Sequence, residues 1–297
     1  MASFGLLGDA TTTTALALAT SWPGEQDAAL FEADPSGGSL AAWLDVPLAP
    51  SLSSMVAAVH RSPVGGVEAM DAASVGGADV RSVIDTMTRR AAGGLPFVPC
   101  PFTVREAERA VAEASLSIFP TVIGTRGRTT LFDLGRVMPT ALPSTIASHD
   151  IAIVVHRQER VSASAEAVRL ERCVELVTAV RRARAARFEH EVILAVVGDE
   201  PFDPDELATH CAVPRSAVIT LADDPLTASV LAGGGSMPAR RLRRQPLLAD
   251  ARRAASLLAT LVLDPIAVRN DGDADARRLE RRAASVGLDP EVDGVVT

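Results

Sequence analysis

Residues 5–20 read "GLLGDATTTTALALAT", and this stretch decides how the fold begins. The apolar run Ser3–Leu7 predicts a buried strand, and Thr11–Trp22 predicts a helix. Gly8 lies between them, where a residue without a side chain lets another backbone approach closely. The chain therefore opens with a strand, a tight turn and a helix.

The same alternation continues along most of the chain. Apolar runs that are continuous rather than alternating predict a parallel sheet covered on both faces. We therefore expect an α/β fold, a doubly wound, mostly parallel sheet of about seven strands with helices on both faces, which binds ligands at the carboxyl ends of its strands. The predicted strands are Ser3–Leu7, Ala28–Ala33, Pro96–Cys100, Thr129–Leu134, Ile151–Val155, Glu191–Val197 and Ala217–Leu221. The predicted helices are Thr11–Trp22, Ser39–Leu44, Ser51–His60, Asp79–Ala91, Val104–Ala114, Ala163–Ala186, Pro204–His210 and Pro225–Leu231.

The composition excludes several classes of protein. Nearly half of the 297 residues are apolar, enough for a core without disulfides or metals. Cys100, Cys173 and Cys211 are odd in number and far apart in sequence, which fits a reducing cytosol better than a disulfide framework or a zinc site. The five histidines lack the spacing of metal ligands. No window approaches the ~20 apolar residues of a membrane span, so we expect a cytoplasmic protein.

The basic residues are of one kind. The chain contains no lysine, so all 29 of its basic residues are arginine. No lysine of this chain can therefore contact a phosphate group. The formal net charge of −8 argues against general nucleic-acid binding.

Residues 1–263 read as one domain that carries the alternating strands and helices. Residues 264–297 are polar and rich in aspartate and glycine, which predicts a disordered tail. Pro63–Ala78 has no clear period and is predicted to be a surface loop.

Three segments, "GDATTTTALALA", "ALFEADPSGGSLAAWL" and "TTLFDLGR", resemble the ParA/MinD-type deviant-Walker P-loop ATPases. In that family the phosphate loop reads K-G-G-x-G-K-T-T, and later strands end in D-x-D-P and D-x-x-G/P. The resemblance covers roughly residues 1–260 and implies a P-loop NTPase-like fold with ATP or ADP and Mg²⁺ as cofactors. The degenerate loop is more specifically similar to an actinobacterial branch, with G-x-P-G-V-T-T-T loops, that accompanies Tad-type pilus and secretion machinery.

The resemblance places the phosphate loop where both of the family's lysines are missing. Thr12 and Thr13 match its threonine pair, which puts Thr11 at the phosphate-loop lysine and Leu6 at the signature lysine. Asp9 adds a negative charge where an anion would bind. At ~4 Å and an effective dielectric near 20, one such charge pair is worth roughly 4 kcal/mol. The cofactor-binding candidates are Gly8, Asp9, Ala10, Thr11, Thr12 and Thr13.

Two interpretations of this loop remain open at the level of sequence. Asp9 is a good N-cap for a helix that starts at Ala10 or Thr11, and the segment would then be kept for packing alone. Alternatively, a nucleotide binds through the remaining amides and hydroxyls, and Thr12 (or Thr13) is a ligand of Mg²⁺.

Acidic residues follow two of the predicted strands. The resemblance implies that Asp34 orients the attacking water as the catalytic residue, with Glu32 as the first acid of the same motif, and that Asp133 holds Mg²⁺ through a water. Arg136 is the nearest candidate cation, and the alternative for it is a solvated surface arginine. For the acids the alternative is a turn or capping role after a strand.

Near the end of the domain, "ITLADDPLTASVLAGGG" resembles the family's base-side segment. The resemblance implies that Asp223, Asp224 and Pro225 line the purine pocket. A helix N-terminus with acidic caps explains the same residues.

Residues 239–263 have apolar residues at helical spacing beside a cluster of arginines. We predict that this helix packs on the core; the alternative is an amphipathic helix on a membrane surface. The cluster is also a candidate contact for a partner, an acidic lipid or DNA phosphates. Its members are Arg240, Arg241, Arg243 and Arg244.

The residues and the resemblance together favour a degenerate ParA/MinD-like protein, a positioning or assembly adaptor with weak or no nucleotide hydrolysis. We expect a homodimer, formed through the face that bears the old nucleotide site, and an unidentified protein partner. The alternatives are an active ATP-binding switch ATPase of that family and, less favoured, a small-molecule enzyme on a doubly wound fold.

Overall fold

A computed structural model describes residues 2–23, 28–61, 76–90, 94–124, 128–159, 161–185 and 192–263. Within these ranges an eight-stranded sheet has the order β3-β4-β2-β5-β1-β6-β7-β8. All neighbouring strands are parallel except β3 and β4, so the predicted α/β, mostly parallel sheet is confirmed. The strands are β1 (Ser3–Gly8), β2 (Ala29–Glu32), β3 (Arg89–Arg90), β4 (Pro96–Val98), β5 (Thr130–Asp133), β6 (Ile151–Arg157), β7 (Val192–Val197) and β8 (Val218–Leu221).

The strands are buried on both faces of the sheet. Every residue of β1, β2, β4, β5 and β7 is buried. Successive side chains of a strand point to opposite faces, so both faces must be covered. This explains why continuous apolar runs predicted the seven strands other than β3. The eighth, β3, lies within the predicted helix Asp79–Ala91, and that prediction was wrong at its end: α4 stops at Met87, and Arg89 and Arg90 pair with β4.

The eight predicted helices are all present. The structure adds the six-residue α6 after α5 and the short α10 before α11. Of the predicted loop at 63–78, residues 76–78 belong to α4 and the rest lies outside the described residues, as does the predicted tail at 264–297. The helices are α1 (Thr11–Thr20), α2 (Leu40–Trp43), α3 (Leu52–Arg61), α4 (Gly76–Met87), α5 (Val104–Ser117), α6 (Phe119–Gly124), α7 (Ala163–Ala185), α8 (Pro204–His210), α9 (Pro225–Leu231), α10 (Ala239–Leu242) and α11 (Pro246–Leu263).

Helix α11 packs on the core, as predicted. It contacts α1, α9 and β8 with its apolar side. That side is therefore covered by the protein and not available to a membrane surface. Within the described ranges, no helix is long and apolar enough to cross a bilayer. The buried residues of this side are Leu247, Leu248, Ala251, Ala254, Leu258 and Leu261.

All three cysteines are buried free thiols. Cys100 lies in the core, as predicted. Cys173 and Cys211 are far apart in sequence, but the fold brings their Sγ atoms to 4.0 Å. The sequence therefore did not predict this contact between α7 and the end of α8, because the two cysteines are far apart along the chain.

Candidate functional site

The turn between β1 and α1 has only two residues, Asp9 and Ala10. Strand β1 extends through Gly8, which pairs with Val155 of β6. The Gly8 amide donates to Gly135 O at 3.1 Å, and the Asp9 amide donates to Val155 O at 2.9 Å. A phosphate cradle needs several consecutive free amides, and these two are already bonded to the protein.

Gly8 is the residue that allows this turn. Its φ of 121° is one that other residues rarely adopt. A Cβ at this position would also clash with the Val155 carbonyl oxygen. Leu6 and Leu7, which the resemblance placed in the phosphate loop, lie instead in the buried strand.

Asp9 is not the N-cap of α1. The N-cap is Ala10, in the left-handed conformation at φ 56°, and no side chain caps the helix. The Asp9 carboxylate lies between two arginines, with Oδ1 3.0 Å from Arg136 and Oδ2 3.4 Å from Arg169. The capping alternative was therefore wrong, and the negative charge of Asp9 is compensated within the protein.

Arg169, on α7, is the centre of an ionic cluster beside the turn. Its guanidinium lies 2.5 Å from Glu159 and 3.7 Å from Glu166, and it donates to the Arg157 carbonyl at 2.7 Å. Glu166 is fully buried, and its Oε1 lies 3.2 Å from Nε2 of the buried His156. Burial lowers the pKa of His156 against the opposing effect of Glu166. His156 is therefore neutral, and Arg169 is the cation that balances Glu166.

Arg136 lies where the sequence suggested a nearby cation. Its side chain is 78% exposed, so most of it is in solvent, as the alternative of a solvated surface arginine predicted. An exposed pair of this kind contributes little stability. The Gly8–Gly135 backbone bond and the Asp9–Arg136 pair together tie the end of β1 to the segment that follows β5.

The structure brings the predicted threonines and aspartates together. Asp133 ends β5, which neighbours β1, and is fully buried. Its Oδ1 accepts from the Gly135 amide at 3.1 Å. Burial raises the pKa of Asp133 to about 6, while the hydroxyls of Thr12 and Thr11 act in the opposite direction. A carboxyl at β5 therefore faces the start of α1, as the resemblance implied.

Asp34 lies against the same turn. Its carboxylate occupies the space that a side chain at Gly135 would need. Oδ1 accepts from the amide and hydroxyl of Ser36 at 2.8 and 2.5 Å. Its negative charge also raises the pKa of Asp133, which shows that the two carboxyls are neighbours. The turn alternative for Asp34 is therefore confirmed by the Ser36 bonds, and the catalytic role stays a prediction.

Glu32 lies beside Asp133 on the neighbouring strand, and its carboxylate is bonded to backbone amides. Its carboxylate accepts the amides of Ser39, Leu40 and Cys100 at 2.5, 2.9 and 2.9 Å. Burial raises the pKa of Glu32 to about 7, against the effect of these three bonds. Glu32 thus links the end of β2 to the start of α2 and to the segment after β4.

The predicted base-side residues have partners in the protein. Asp223 accepts two bonds from Arg157 at 3.1 and 3.2 Å. Asp224 caps α9 by accepting from the Thr227 amide at 3.0 Å, and Pro225 is the first residue of that helix. The capping alternative is confirmed for Asp224. No contact here tests a purine pocket.

A cavity of about 550 Å³ opens beside Asp9, toward α7. Its charged lining consists of equal numbers of acids and arginines, so it offers no excess positive charge to a triphosphate. The charged lining residues are Asp9, Glu159, Glu175, Arg136, Arg169 and Arg172.

The donor atoms fit Mg²⁺ better than they fit a nucleotide. The buried Asp133 Oδ2 lacks a hydrogen bond of ordinary geometry, and the Thr12 hydroxyl is a second oxygen of the type that Mg²⁺ prefers. For a triphosphate the chain has no lysine, and the amides of Gly8 and Asp9 are already bonded within the protein. Within the described residues, no group of three or more histidines, cysteines or acids forms a metal site. The residues present therefore offer oxygens suited to Mg²⁺ but no lysine for a triphosphate.

Comparison with known proteins identifies the fold. No protein-family model matches the chain, and no curated protein matches it. A ParA family ATPase from Chlorobium tepidum superposes with a TM-score of 0.56 at 14% identity, covering 86% of this chain and 97% of that one. The cell division ATPase MinD of Pyrococcus furiosus gives 0.59 at 13%, covering 88% and 100%. The MinD of Pyrococcus horikoshii, complexed with Mg-ADP, gives 0.56 at 14%, covering 88% and 97%. The fold is that of the ParA/MinD P-loop NTPases.

Proposed function

We propose that this protein is a degenerate member of the ParA/MinD ATPases, working as a positioning or assembly adaptor with weak or no nucleotide hydrolysis. The observation that carries the proposal is the two-residue turn at Asp9 and Ala10. Its preceding amides are bonded within the sheet, and its one charge is held by Arg136 and Arg169. Phosphoryl transfer depends on positive groups around the transferred phosphate, and this turn supplies none.

The likeness to MinD and ParA proteins suggests the cellular process. Two of the similar structures are described as a cell division ATPase and a septum site-determining protein. Positioning in division or partitioning is therefore the role that we propose first. The degenerate loop's similarity to the Tad-associated branch makes pilus or secretion machinery the second assembly to test.

We further propose that the chain forms a homodimer through the carboxyl edge of the sheet. Six of the eight large apolar side chains that are exposed in the described residues follow the carboxyl ends of strands. Exposed apolar groups gathered at one edge are typical of a protein interface. Because this edge needs no nucleotide to order it, the dimer forms without ATP. The six are Phe102, Val104, Met138, Val161, Val168 and Leu226.

The dimer is tested by the mass of the protein in solution. Light scattering coupled to gel filtration should give a dimer without nucleotide. Met138→Glu and Leu226→Glu should each shift the protein toward monomer, because a charge would be buried in the interface. Leu116→Glu is the matched control, since Leu116 is 86% exposed at the far end of α5 and should leave the dimer intact. A monomeric wild-type protein would contradict the proposal.

A second candidate function rests on the acids at the strand ends. Asp34, Asp133 and Thr12 meet beside the turn, as they would in an active switch ATPase. In that case Thr12 and Asp133 would hold Mg²⁺, and Asp34 would orient water. Robust Mg²⁺-dependent phosphate release from ATP, abolished by Asp34→Ala, would establish this function and refute the first. The adaptor proposal predicts no release above background.

A further inference from the structure

A second cavity, of about 760 Å³, lies at the edge of the sheet opposite the Asp9 turn. It is formed where the end of α1 meets α10 and α11. Helix α1 has ten residues, so about 15 Å separates the two sites at 1.5 Å per residue. The cavity is lined by Thr20, Ser21, Trp22, Pro23, Ala239, Arg240, Arg243, Arg244, Leu248, Arg252 and Ser256.

Helical spacing directs the arginines into this cavity. Arg240, Arg243 and Arg244 follow one another at i, i+3 and i+4, which places them on one side of the α10 turn. On α11, Arg252 lies one turn after Leu248, on the stripe that faces the cavity. Arg252 also donates to the Arg243 carbonyl at 3.0 Å, which ties the two helices together.

Among the described residues, the positive charge of this cavity is not balanced by acids. Four arginines line it, and the described part of its lining contains no acid. No ion pair forms at any of these four within the described part of the chain. Arg253, next to Arg252 but outside the lining, pairs with Asp250. The arginine cavity is thus a local exception in a chain with a net charge of −8.

Trp22 adds an aromatic surface to the arginine cavity. Its ring packs on Phe4 with centroids 5.2 Å apart, which holds it in place, and it remains partly exposed. An indole presents a flat face on which another ring can stack. The hydroxyl of Ser21 supplies a further hydrogen-bond donor at the wall, while that of Ser256 already donates to the Arg252 carbonyl at 2.9 Å.

We propose that the arginine cavity binds a small soluble polyphosphate that carries an aromatic ring, such as a nucleoside diphosphate. Guanidinium groups bind phosphate oxygens in bidentate fashion, and four arginines line this cavity. The volume lies within the range of about 300–1,000 Å³ that is usual for small-ligand pockets. A concave site walled by three helices favours a small molecule over a duplex or a bilayer. The site is separate from the proposed function, because it uses none of the residues around Asp9.

The test uses Trp22 as the reporter of binding in the full-length chain. Trp43 is the other of the two tryptophans, so in Trp43→Phe the tryptophan fluorescence comes from Trp22. ADP and inorganic pyrophosphate are titrated without Mg²⁺, and adenosine serves as the ligand without phosphate. We expect saturable changes in Trp22 fluorescence with ADP and with pyrophosphate, and no change with adenosine. ADP should bind more tightly than pyrophosphate because its ring can stack on Trp22. Rising salt should weaken binding.

Matched variants assign the binding to the cavity. Arg240→Gln with Arg244→Gln should weaken ADP binding at least about tenfold, because two charge-assisted contacts are lost. Arg241→Gln with Arg253→Gln removes the same charge from positions outside the lining. This control should stay within about threefold of the parent, since only long-range electrostatics changes.

Three results would overturn the proposal. These are the absence of saturable binding up to about 10 mM ADP, equal weakening in both double variants, and binding confined to duplex DNA or to phosphatidylglycerol vesicles. None of these three results would contradict the proposed function. ADP binding that is lost in Asp133→Asn instead of the arginine variants would locate the ligand at the strand ends, and would overturn this inference while leaving the proposed lack of hydrolysis to its own test.

Discussion

Replacing Arg169 is expected to destabilise the protein, because Arg169 is the cation of the ionic cluster beside the turn. Arg169 is 22% exposed and is the partner of Asp9, Glu159 and the fully buried Glu166. His156 does not replace it as a cation, because its pKa is lowered by burial. Arg169→Gln therefore leaves Glu166 as a buried charge without a positive partner.

The size of this effect follows from the burial of Glu166. Removing one partner of a buried ion pair costs about 3–5 kcal/mol, and the partial exposure of Arg169 puts this case at the lower end. For a domain of this size each kcal/mol shifts the Tm by about 2–4 °C. We therefore expect Arg169→Gln to lower the Tm by about 6–12 °C, measured by calorimetry or circular dichroism.

Two further variants make the result specific. Arg172 lies three residues along the same helix and lines the same cavity, without an ion pair among the described residues. Arg172→Gln should change stability by less than about 0.5 kcal/mol. Glu166→Gln combined with Arg169→Gln should recover about half or more of the loss, because the buried charge is then gone. If Arg169→Gln is no more destabilising than Arg172→Gln, the ionic cluster does not hold the turn as we describe.

Two other predictions concern Glu32 and the turn itself. The pKa of Glu32 is raised from 4.5 to about 7, so the fold favours its protonated form and loses stability as the pH rises through this window, by up to about 3 kcal/mol. Urea unfolding from pH 4.5 to 8 should show a smaller loss in Glu32→Gln than in the wild type, and parallel curves would contradict the assignment. Asp9→Gly with Thr11→Lys should not create ATP binding in calorimetry, because the turn is closed by its length and its backbone bonds rather than by charge alone. Measurable binding by this double variant would show that charge was the obstacle.

Most of the sheet could be predicted because its strands are covered on both faces. In β1 and β7 every position is buried and nearly every one is apolar, which gives a continuous signal. Strand β3 gives none, since Arg89 and Arg90 pair at an edge through their backbone. Helix α6 begins with Phe119 and Pro120 and spans only six residues, too few for a helical period to be seen.

The candidate site was predictable only where strand ends define it. Strands β2, β5 and β1 are neighbours, so Asp34, Asp133 and the threonines of α1 had to meet. Arg169 was missed because it reaches Asp9 from a residue 160 positions later along the chain, through a tertiary contact without a local pattern. The short turn was predicted, but its first residue was wrong by one position, because Gly8 pairs with Val155 and belongs to the strand.

The central claim is that the turn at Asp9 and Ala10 no longer binds a nucleotide, and calorimetric titration of Mg·ATP tests it most directly. The protein to use is Arg240→Gln with Arg244→Gln, so that the arginine cavity does not contribute heat. We expect no saturable binding at concentrations up to about 1 mM, which corresponds to a binding free energy weaker than about −4 kcal/mol. One saturable site per chain that requires Mg²⁺ and is lost in Asp133→Asn would contradict it.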